Sequence, residues 1–138
     1  FKDSAERLAQ NLFISAPTLS QCAALEAFSP QNLEELEKRR QSFEERRDVL
    51  SKGLERLGFG LRARPEGAFY VYANCSHWSE DSEVLAKNLL ESLGVAVTPG
   101  IDFGIHDARK YLRFAYTASI ERIREALTRL ERYEKNLL

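Results

Sequence analysis

A chain of 138 residues with 43% hydrophobic and 30% charged side chains has the balance of a folded domain, or of one domain with a piece of another, and excludes a disordered polypeptide. The net charge is -1 with acids and bases interleaved, which excludes a surface built to track nucleic acid. No apolar run approaches membrane-spanning length. Cys22 and Cys75 lie far apart without metal-ligand spacing, so reduced thiols in a cytoplasmic protein are expected.

The chain opens on Phe1, contains no Met and enters a helical pattern at once, so it is expected to be a fragment of a longer polypeptide. Residues 3–13 read as a helix, with Ala5, Leu8 and Leu12 on one face and Asp3 or Ser4 as cap. Pro17 fits the first turn of a second helix over residues 18–28. That helix is nearly apolar all round, so an exposed apolar patch is expected unless further chain or a partner covers it.

Ser29-Pro30 restarts the chain as an N-cap and first helical residue. A long helix to about Leu57 follows, with Leu36, Phe43, Leu50 and Leu57 at seven-residue intervals and Leu33 and Leu54 beside them. Its Glu, Lys and Arg runs read as a solvated face laced with i,i+4 pairs, and Gly58 ends it. Residues 61–63 read as a short strand and residues 68–73 as a second, with Phe69 and Val71 on one face and Tyr70 and Tyr72 on the other. Asp81 or Ser82 caps a helix with Leu85, Leu89 and Leu93 as its apolar face and Gly94 as its stop. Residues 95–98 form a brief strand, and a loop runs to Lys110. Residues 111–117, Tyr-Leu-Arg-Phe-Ala-Tyr-Thr, form the last strand, with Leu112, Phe114 and Tyr116 on one face. Ser119 caps a final helix with Ile120, Ile123, Leu127, Leu130 and Leu137 as its stripe. The order describes an α+β fold: a small three- to four-stranded mixed or antiparallel sheet with helices packed on one face, preceded by two helices.

Arg113 sits mid-strand on the face opposite Leu112 and Phe114. A guanidinium cannot be neutralised at ordinary pH, so partial burial demands an anionic or hydrogen-bonding partner. It is an internal salt-bridge partner, a snorkelling residue, or a carboxylate receptor whose planar fork makes two parallel hydrogen bonds. Two loops carry similar alternatives. Residues 65–70 and 98–104 are either simple turns, or places where Gly67 and Gly100 let backbone approach a ligand while Phe69 and Phe103 wall a pocket. No Gly-rich phosphate loop, nucleophile elbow or His-Glu metal pair occurs. His77 and His106 lie in loops near Cys75, Asp102 and Asp107 without ligand spacing, so no metal site is expected.

Pro-Glu-Gly-Ala-Phe-Tyr-Val-Tyr at residues 65–72, Val-Ala-Val-Thr-Pro-Gly-Ile-Asp-Phe-Gly at 95–104 and Tyr-Leu-Arg-Phe-Ala-Tyr-Thr-Ala-Ser at 111–119, in this order and spacing, resemble the C-terminal part of class I/II aminotransferases, the fold-type I pyridoxal-phosphate enzymes. Residues 10–21 resemble the segment that follows the cofactor-lysine region. The resemblance implies that residues 1–28 end the large cofactor-binding domain and that residues 29–138 are the C-terminal small domain. It implies that Arg113 grips the substrate α-carboxylate, that Phe69 is the aromatic wall beside the substrate, and that Gly100 and Phe103 belong to the loop that closes over it. The cofactor would be pyridoxal 5'-phosphate in the full-length protein. The lysine that anchors it and the residues that bind its ring and phosphate match nothing here, so the fragment alone is expected to be inactive, with no catalytic residue of its own. The full-length enzyme would be a homodimer exchanging an amino group between an α-amino acid and a 2-oxo acid. Two other readings stand beside this one: an aminotransferase-like ligand-sensing domain of a transcription regulator, and a stand-alone small-molecule-binding α+β module.

Overall fold

The structure, a computed structural model, describes residues 1–134, which divide into one unit from Phe1 to Arg40 and another beginning at Gln41. Leu137, expected on the last apolar stripe, lies outside the described residues. The first unit holds α1 (Lys2–Leu12), α2 (Thr18–Ala27) and the start of α3 (Pro30–Arg56). Phe1 occupies the cap position of α1 without a side-chain bond, which corrects the expected cap by Asp3 or Ser4. The helix begins early enough to place Asp3 in its first turn, near the unsatisfied N–H groups. Pro17 caps α2 in an extended conformation and does not serve as its first helical residue. No residue of α1 or α2 is buried, and Leu19, Leu25 and Phe28 form the expected exposed apolar surface.

Capping chemistry sets most other helix ends. Ser29 Oγ accepts from the Asn32 amide at 3.4 Å at the start of α3. Gly58, at φ +77°, ends that helix as expected. Lys38–Glu34, Arg39–Glu35 and Arg40–Glu37 pairs make its solvated face. The seven-residue stripe and the leucines beside it are split in their burial: Leu33 and Leu36 are exposed, whereas Leu50, Leu54 and Leu57 are buried. In α4 (Ser82–Leu93), Asp81 accepts from the Glu83 amide, and Gly94 adopts the left-handed conformation at the end. Ser119 Oγ accepts from the Arg122 amide, at 3.5 Å, ahead of α5 (Ile120–Glu134).

Three antiparallel strands pair in the order β1-β3-β2, with β1 at Tyr70–Asn74, β2 at Thr98–Pro99 and β3 at Tyr111–Ala115. The expected strand over residues 61–63 does not form; Gly60 alone bridges to Asn74. The chain beyond it is drawn off the β1 edge: Arg62 lies over the Tyr111 ring, Arg64 pairs with Asp48, and Arg47 donates to the Pro65 carbonyl at 3.2 Å. Ala68 takes φ +60°, which breaks extended geometry before β1. Phe69 is therefore 47% exposed and does not share the burial of Val71. Of residues 95–98 only Thr98 pairs, because the Val95 amide closes the end of α4 on the Leu89 carbonyl. Val71 faces Phe114 and Ala73 faces Leu112 across the β1–β3 ladder. These four side chains join Leu54, Leu57, Leu89, Leu127 and Leu130 in one core, so α3, α4 and α5 all cover the same side of the sheet. The α+β expectation holds at the lower strand count.

Candidate functional site

Strand alternation leaves the opposite side of the sheet to Tyr70, Tyr72 and Arg113. Arg113 stands between Tyr72 on β1 and Thr98 on β2 in the ladder. One terminal nitrogen donates to Thr98 Oγ1 at 3.3 Å. The guanidinium lies 4.8 Å from the Phe103 ring centroid and 5.6 Å from that of Tyr70. Its Nε is buried without an acceptor. Among the described residues no Asp or Glu pairs with it. Aromatic faces stabilise the cation but accept no hydrogen bond in the guanidinium plane. The terminal nitrogens, one of which already donates to Thr98, therefore retain donor capacity for an oxyanion.

The loop after β2 closes one side. Gly100 is buried where a Cβ would overlap the Ala108 carbonyl oxygen and the Tyr72 hydroxyl, so only glycine lets the loop lie this close to the sheet. By contrast, nothing lies within 4 Å of a Cβ built on Gly67, so that glycine serves no close approach within the chain. Phe103 meets Tyr72 edge-on at 6.3 Å, and Tyr72 stacks on Tyr111 at 4.9 Å. Burial, with smaller contributions from Tyr111 and Cys75, raises the Tyr72 phenol above its usual pKa and keeps it protonated. On the other side Phe69 meets Tyr70 edge-on at 5.8 Å.

Arg113 and Phe103 are thus in direct contact, Gly100 joins them through Tyr72, and Phe69 joins them through Tyr70. Thr98, Tyr70 and Tyr72 were not expected at the site. The alternation that put Tyr70 and Tyr72 on one face carried the signal, but which residues flank Arg113 depends on strand register. The histidines do not converge: among the described residues no group of three or more His, Cys, Asp or Glu side chains could hold a metal.

The sequence profile of the family described as "Aminotransferase class I and II" matches residues 2–130. The chain is 40% identical over 127 residues to (5-formylfuran-3-yl)methyl phosphate transaminase of Methanocaldococcus jannaschii, covering 92% of this chain and 33% of that protein. It is 38% identical over 123 residues to valine–pyruvate aminotransferase of Mycobacterium tuberculosis, covering 89% of this chain and 32% of that one. Among solved structures, an aminotransferase from Mycobacterium tuberculosis superposes with a TM-score of 0.86 at 37% identity, over 94% of this chain and 33% of that chain. An aromatic aminotransferase from Pyrococcus horikoshii gives 0.84 at 27% identity, over 94% and 35%. The chain spans about a third of the length of the curated relatives it matches. A profile matching nearly the whole chain, together with these likenesses in sequence and fold, shows that the chain belongs to the class I and II aminotransferases.

Proposed function

We propose that this chain is the C-terminal, substrate-closing portion of a pyridoxal-phosphate-dependent aminotransferase that moves an amino group between an α-amino acid and a 2-oxo acid. Residues 1–28 end the large domain and residues 29–138 form the small one. Arg113 grips the α-carboxylate that every such substrate carries. Phe69 and Phe103 flank the substrate, and Gly100 allows the covering loop to lie close and exclude water. The single observation that carries this reading is the half-buried guanidinium with an unsatisfied Nε and no carboxylate partner among the described residues. A guanidinium partly withdrawn from water without an anionic partner among the described residues supports the reading of an incoming anion. The named activities of the relatives favour an enzyme over a ligand sensor.

Among the described residues none fits covalent anchoring of the cofactor. Lys2 and Lys52 are exposed, and Lys38, Lys87 and Lys110 are exposed and paired with Glu34, Glu91 and Asp107. None has the apolar setting that makes a lysine amine nucleophilic at neutral pH. The cofactor belongs to the rest of the enzyme, a homodimer, and no chemical step is assigned to this portion. Cys22 and Cys75 are both free thiols, which suits the cytoplasm.

Arg113→Lys in the complete enzyme tests the reading. It is expected to raise KM and lower kcat/KM by about thirtyfold, because a point charge does not reproduce the bidentate grip. Unchanged kinetics would refute the role.

A further inference from the structure

Three successive carbonyls ahead of β1 are held by one residue. The Tyr116 hydroxyl lies 3.2 Å from the Gly67 carbonyl oxygen and 3.1 Å from that of Ala68, sharing its proton between them. The Tyr116 amide donates to the Phe69 carbonyl at 2.8 Å. Between these bonds Ala68 holds φ +60°, a conformation that a side chain with a Cβ resists unless its surroundings impose it. Tyr116 is only 2% exposed, and its ring meets Phe43 edge-on at 6.1 Å. Burial also raises its phenol pKa, although Arg47 opposes the shift, so the hydroxyl remains a donor. Arg47 fixes the same loop two residues earlier, through the Pro65 carbonyl.

The loop so gripped ends in Phe69 and Tyr70, the second of which lies over Arg113. Tyr116 follows Arg113 by three residues. One short segment thus carries the carboxylate anchor on its outer face and, on its inner face, the clamp for the aromatic wall. We propose that Tyr116 is a positioning residue: its hydroxyl sets the Phe69–Tyr70 wall at its working distance from Arg113 and so governs which substrate side chains fit. This rests on the carboxylate-anchor reading of Arg113 and adds a specificity determinant to it.

The test uses the complete, cofactor-loaded enzyme with pyruvate, 4-methyl-2-oxovalerate and phenylpyruvate as substrates or competitive inhibitors. Pyruvate reaches the anchor but hardly the wall, whereas phenylpyruvate needs both. Tyr116→Phe is expected to change kcat/KM or Ki for pyruvate by less than about twofold and to weaken phenylpyruvate about tenfold, mainly through KM. Adding Ala68→Gly, which adopts the same φ without strain, is expected to restore most of that loss. A Tyr116→Phe effect equal for all three acids, or absent, overturns the proposal. Arg113→Ala separates the two claims, because it should weaken all three acids together. If it weakens none, the anchor reading fails whatever Tyr116 does. Should Tyr116→Phe not fold, Arg47→Lys loosens the same loop at Pro65 and is read on the same ratio with the same outcomes.

Discussion

The two faces of the three-stranded sheet share one backbone and solve opposite problems. Val71, Ala73, Leu112 and Phe114 look into the helices and are at most 4% exposed. Tyr70, Tyr72 and Arg113 alternate with them and stay partly accessible, around a cation with no carboxylate partner among the described residues. The inner face gains stability roughly in proportion to the apolar area it hides. The outer face holds a desolvated polar atom, Arg113 Nε, unsatisfied, which lowers stability. The contrast teaches that a side chain that builds the core and one left without an ionic partner among the described residues can be adjacent in sequence, as Leu112 and Arg113 are.

That contrast predicts different damage on the two sides. Leu54, fully buried in the core, should cost about 3 kcal/mol of unfolding free energy when changed to alanine, measured by denaturant melts, with KM unaltered in the molecules that remain folded. A raised KM would mean that the faces are coupled more tightly than the packing suggests. Gly100→Ala should do the reverse. The added methyl group displaces the covering loop from Tyr72 and the Ala108 carbonyl, lowering kcat/KM about tenfold for about 1 kcal/mol of stability.

A smaller effect concerns the ties that draw residues 61–65 toward α3. Hydrogen bonds first from Arg47 and then from Arg64 hold the Asp48 carboxyl below its ordinary pKa. A carboxyl whose folded pKa is depressed contributes stability above its unfolded value of about 3.9 and loses it as pH falls through the lower folded value. Asp48→Asn should therefore lower Tm slightly at pH 7, and the gap from the native protein should close as the pH drops below about 4. A gap that persists at pH 3 would assign the ties another origin. The effect stays small because the carboxylate is 31% exposed and partly screened by solvent.

Much of this architecture was legible because helix ends are decided locally. Ser29, Gly58, Asp81 and Gly94 announce their roles through chemistry confined to one turn. The β3 strand and the isolation of Arg113 from its apolar neighbours follow from alternation alone. The missing strand at residues 61–63 was not legible, since Arg47 and Asp48 lie far away in sequence and meet that segment only in the fold. Phe69 misled for a related reason: the left-handed residue Ala68 is flanked by carbonyls bonded to Tyr116, far away in sequence, and alanine gives no local hint of it. Thr98 and Tyr70 became neighbours of Arg113 only through long-range register, which local patterns do not encode.

The most direct measurement is whether Arg113 reads a carboxylate. In the complete enzyme, kcat/KM for an accepted α-amino acid is compared with that for its α-carboxamide, in the native protein and in Arg113→Met. A native preference for the acid of about a hundredfold is expected, shrinking to less than about fivefold in the variant. The same preference in both proteins would contradict it, and would place recognition of the carboxylate elsewhere.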